Sequence, residues 1–194
     1  TLFASPFVRL VLGYQVLSAL GSQVADFLVF DRAAVAFPDA EALARFVGGY
    51  TAAMNALSIA FLFVLAGPLL RRYGLRLGIT ANPVVVTAFA ALMVVALAVA
   101  GPASFALLGV VSAARIADVV LTDGTTRASV NALYQVLPER SRLAAQSVVE
   151  GMGVPIAIGA SGLLILGLDA LPDGLAAMIV VLGVTCAVWS WLAM

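Results

Sequence analysis

The run from Pro102 to Ala114, PASFALLGVVSAA, is free of charge and fit for a lipid interior, yet it leads without a break into Arg115, Asp118, Asp123 and Arg127. An ionisable group at the centre of a bilayer costs about 2.5–3.5 kcal/mol on insertion scales. Four of them, unpaired and facing lipid, would cost roughly 10–14 kcal/mol, which is as large as the whole net stability of a typical protein. These groups must therefore face protein or water. The stretch from Arg115 to Glu150 is where function is expected.

The setting is a membrane one. Hydrophobic residues make up 63% of the 194 and charged residues 10%, where a soluble domain carries about 25%. Apolar runs of about 20 residues suit bilayer-spanning helices, and these runs do not alternate as membrane strands do. The expected fold is all-α and integral to the membrane. Six transmembrane helices are predicted, at about residues 7–37, 41–70, 75–100, 102–137, 139–168 and 173–194. Asp39 is placed to cap the second helix. Asn82-Pro83 is placed to kink the third, and Pro102 suits the first turn of the fourth.

Arginine sets the expected orientation. Arg71, Arg72 and Arg76 lie between helices two and three, and Arg140 and Arg142 between four and five, whereas the 3–4 connection has no charge. Both termini are accordingly expected on the cytoplasmic side. The chain begins at Thr1 and shows no signal peptide, so it reads as a segment of a longer polypeptide.

Several classes are disfavoured. All ten cations are arginines and are balanced by ten acids, which argues against a nucleic-acid surface. No histidine and one cysteine, Cys186, leave no ligand set for zinc, haem or an iron–sulfur cluster. No cofactor is expected. No phosphate loop or nucleophile motif appears, and no enzyme is expected.

On a helix, Arg115, Asp118, Thr122, Thr126 and Ser129 share one stripe, with Asp123, Arg127 and Asn131 on a second. Arg115–Asp118 is an i,i+3 pair and Asp123–Arg127 an i,i+4 pair. Either each acid neutralises its arginine as a structural lock, or the guanidinium forks of Arg115 and Arg127 hold carboxylate or phosphate oxygens. Asp26 and Asp31 on the first helix are partners for Arg115 or Arg127, or else couple to a cation. Glu150 pairs with a neighbouring arginine or belongs to a cytoplasmic gate.

Two segments carry a family resemblance. Gly67-Pro68-Leu69-Leu70-Arg71-Arg72-Tyr73-Gly74 is similar to the basic 2–3 connection of one half of a major-facilitator-type transporter. RASVNALYQVLPERSRLAAQSVVEG, from Arg127, resembles the ATP/ADP translocase (nucleotide transporter) family and related membrane domains of larger bacterial proteins. Arg127, Ser129, Tyr134, Pro138, Arg142 and Glu150 fit the family's places, as does Phe37-Pro38 after the first helix. The resemblance implies the second six-helix half of a twelve-helix domain in a bacterial inner (plasma) membrane. It departs at Ala144, Ala145 and Gln146, where the exchangers carry lysines, and at Glu150, where their acid is usually Asp.

The resulting expectation is a transporter half that binds an anionic solute, nucleotides included, where it meets a second half. Arg115 and Arg127 would contact the solute, with Asp118, Asp123 and Asp26 as charge partners and Glu150 and Arg142 in a gate. The alternative is a non-transporting membrane module that anchors or regulates attached soluble domains, or serves as a subunit of a membrane complex.

Overall fold

The computed structural model describes residues 5–194 and contains, among them, helices and turns but no strand. In chain order the elements are α1 (Pro6–Ala36), α2 (Ala40–Phe61), α3 (Gly67–Ala100), α4 (Phe105–Leu121), α5 (Arg127–Tyr134), α6 (Glu139–Val148), α7 (Val154–Asp169) and α8 (Gly174–Ala193). Three π-helical turns, Leu62–Ala66, Thr122–Thr126 and Val149–Gly153, join α2 to α3, α4 to α5 and α6 to α7 without interrupting the rods.

Four helical runs are long and apolar enough to cross a membrane: Ala40–Ala100, Phe105–Tyr134, Glu139–Asp169 and Gly174–Ala193. The fold is consistent with an all-α membrane protein, but the expected six separate spans are not what is observed. Two causes account for the difference. Residues 40–100 form one helical run, which leaves helical geometry only at Gly74 (φ 70°, ψ −170°). Glycine alone tolerates that region without strain. The first helix is not among the four because Gln15, Gln23 and Asp26 lower its hydropathy.

Local chemistry explains several features of the helices. The Asp39 carboxylate accepts the Ala42 amide at 2.9 Å, as the sequence suggested. Pro102 lies instead in the turn before α4, and the helix starts after Ser104, whose hydroxyl accepts the Leu107 amide. Pro83 stays within α3, where the Thr87 hydroxyl donates to its carbonyl at 2.7 Å. The backbone break falls at Gly74.

The bundle is built around α1 and α4. The first packs on α4, α7 and α8; the second packs on α1, α2 and α3; and α3 packs on α8. This set of contacts maps onto itself when α1, α2 and α3 are exchanged for the α4–α5, α6–α7 and α8 rods. Leu28, Met93, Leu107, Val111 and Leu182 are fully buried between them. Tyr14 and Trp189 meet edge to face at 5.4 Å where α1 crosses α8. Phe63, Val99, Leu163 and Trp191 are exposed on the outside, the apolar exterior that a lipid-facing bundle presents.

Candidate functional site

Arg115 lies ten residues into the α4 rod, about 15 Å from its start at 1.5 Å per residue, and so near the middle of a hydrocarbon layer about 30 Å thick. It does not stand alone. Its Nε and Nη2 donate to the two carboxylate oxygens of Asp26 on α1, at 2.5 and 2.6 Å, and its Nη1 donates to Asp118 Oδ2 at 2.5 Å. Asp118 also accepts from the Ser22 hydroxyl at 2.6 Å and from Asn82 Nδ2 on α3 at 2.9 Å. The same Asn82 nitrogen donates to Thr122 Oγ1 at 2.9 Å. Three rods, α1, α3 and the α4–α5 rod, are thus tied by one polar cluster. Asp118 and Asn82 are 2% and 0% exposed, so the cluster is a lock whose Asp118 end is desolvated and depends on its partners.

Beside the lock opens a cavity of about 370 Å³ between α1, the α4–α5 rod and the α6–α7 rod. Gln15, Ser18, Ser22 and Gln23 line it from α1; Thr122, Thr126, Arg127 and Asn131 line it from the second rod; Glu150 lines it from the third. Ser22 and Thr122 belong to both features, so the lock forms part of the cavity wall. Two π turns shape that wall, one holding Thr122 and Thr126 and the other Glu150. Such turns re-aim side chains relative to a regular helix and are frequent at functional sites.

The Arg127 side chain is 69% exposed and sits 3.2 Å from Asp123, which also accepts the Ser58 hydroxyl at 3.2 Å. Glu150 is exposed and has no ion-pair partner among the described residues. By formal charge, Asp26 and Asp118 outnumber Arg115 by one, and Asp123 and Glu150 outnumber Arg127 by one.

The expected site residues therefore divide. Arg127 and Glu150 come together on the cavity, with Asp123 behind Arg127. Arg115, Asp118 and Asp26 are drawn into the lock, where both oxygens of Asp26 and all three donor nitrogens of Arg115 are engaged, and none of the three lines the cavity. Arg142 lies away from Glu150's cavity and donates to the Leu137 carbonyl at 3.3 Å, closing the end of the α5 rod. Asp31 pairs with its neighbour Arg32. Ser129 faces α3 rather than the cavity, so close that a Cβ on Gly78 would overlap its side chain.

Sequence reasoning missed Ser22, Ser58 and Asn82 as members of the site. A lone asparagine in the apolar run of α3 was the available signal, and it read as part of a proline kink. Among the described residues no group of three or more His, Cys, Asp or Glu side chains is placed to hold a metal ion. Compared with family models, with curated proteins and with solved structures, the chain matches none.

Proposed function

We propose that this chain is half of a major-facilitator-like, ATP/ADP-translocase-like membrane transporter, and that it holds an anionic group of its solute on Arg127, at the face meeting a second six-helix half. The observation that carries this reading is the polar cavity. A charged arginine, a glutamate with no ion-pair partner among the described residues, and several amides and hydroxyls line about 370 Å³ inside a lipid-compatible bundle, where uncompensated polar groups are costly unless they serve a solute or water path. The exchange pattern of helix contacts supports it, because transporter folds are commonly built from inverted repeats with the solute near the midplane. In this reading the second half belongs to the same chain or to another subunit, and both termini are cytoplasmic. Glu150 gates the cavity, and the Arg115–Asp26–Asp118 lock holds α1 against α4.

Thermal unfolding of the purified full-length protein, with and without ATP, ADP and simple anions, tests the proposal. A ligand at 100 times its Kd should stabilise by about 2.7 kcal/mol, and Arg127→Ala should abolish the shift. The absence of lysine and the full engagement of Arg115 favour a second reading, a membrane module that anchors or regulates attached soluble domains. A well-folded sample that responds to no solute would move the assignment there.

A further inference from the structure

We infer that the solute of this cavity is a small zwitterion, with a carboxylate or comparable anion on Arg127 and an amine on Glu150; the inference rests on the transport reading above and narrows its solute class. The cavity wall contains one cation, Arg127, which Asp123 behind it shares, and one acid, Glu150. Gln15, Asn131 and Thr126 add amide and hydroxyl groups to the same wall. The Thr126 hydroxyl is buried. A guanidinium presents two parallel donors to a carboxylate, and a carboxylate such as Glu150 accepts from an ammonium.

The alternatives fit less well. A nucleotide needs several cations on its phosphates and gains from an aromatic face under its base. This wall has a single arginine, already shared with Asp123, and no aromatic side chain. A simple anion would meet Glu150, together with the surplus acids of both charge groups, and like-charge contact of that kind is how sites reject the wrong ligand. A simple amine would meet Arg127. A molecule carrying both charges satisfies both residues and adds no net charge to a low-dielectric space.

Four pools of compounds separate these cases by thermal unfolding of the full-length protein. They are the free α-amino acids with 4-aminobutyrate, the matching amines, the matching carboxylates, and nucleoside mono-, di- and triphosphates. The zwitterion pool should raise Tm by about 5–10 °C at saturation and the other three should not. Arg127→Gln and Glu150→Gln should each weaken that response by about tenfold or more. Both side chains are exposed, so both variants should fold. Glu150→Gln should in addition gain a response to the carboxylate pool, because the repelling charge is gone. A wild-type response confined to nucleotides, carboxylates or amines, and lost in Arg127→Gln, overturns the zwitterion while leaving a solute-binding Arg127 in place. A zwitterion response that neither variant weakens also overturns it. Silence from all four pools overturns the inference and the transport reading together.

Discussion

Removing the guanidinium of Arg115 should expose how much the lock depends on charge balance. In Arg115→Met the volume is nearly kept, but Asp118, whose side chain is 3% exposed, loses its cation. Asp26, at 33%, retains partial access to water. Stripping one partner from a buried ion pair costs about 3–5 kcal/mol, chiefly because the remaining charge is left desolvated. Asp118 carries most of that cost, since Asp26 can rehydrate; Ser22 and Asn82 still donate to Asp118 and offset part of it. At about 2–4 °C per kcal/mol for a chain of this size, thermal unfolding in detergent should fall by about 6–20 °C. The triple variant Arg115→Met/Asp26→Met/Asp118→Asn removes every charge, while the new amide oxygen can still accept from Ser22 and Asn82. It should recover to within about 2 kcal/mol of the native chain, as discharged buried networks do. A single variant within about 1 kcal/mol of native would equate Arg115 with an exposed surface pair and refute the lock. So would a triple variant no more stable than the single one, because the cost would then lie in packing rather than in charge.

Other substitutions probe the scaffold. Gly78→Ala should destabilise by about 1–3 kcal/mol through overpacking against Ser129, and pairing it with Ser129→Gly should restore most of the loss in the same unfolding assay. Asp39→Ala removes the carboxylate that accepts the Ala42 amide. It should cost about 1 kcal/mol and speed hydrogen exchange in the first turn of α2. Cys186 on α8 is fully buried against Gly21 of α1, so a maleimide should label it only after denaturation; rapid labelling of the folded protein would contradict the α1–α8 packing.

Parts of this molecule are readable without its tertiary structure because they depend on neighbours within one turn of chain. Composition and run length fix the helical, membrane-compatible class, since a bilayer leaves few ways to satisfy backbone groups. Asp39 caps α2 through a residue three positions on, and Gly74 breaks the helical run beside the arginines that mark its end. The pairs Arg115–Asp118 and Asp123–Arg127 follow from 3.6 residues per turn. Sequence left open whether Asp26 served Arg115 or Arg127.

Only the packed bundle decided that question. Arg115 meets Asp26 across 89 positions of sequence, and Asp118 meets Asn82 across 36. Such meetings depend on which faces of separate rods turn toward each other. Periodicity fixes the stripe a residue occupies on its own helix but carries no term for a neighbour's rotation. The π turns change that rotation again, carrying Thr126, Arg127 and Glu150 to the cavity while Arg115 stays locked and Ser129 turns to α3. Sequence thus determined which charges this membrane chain must hide. Helix packing decided which were spent on one another and which came to line the cavity.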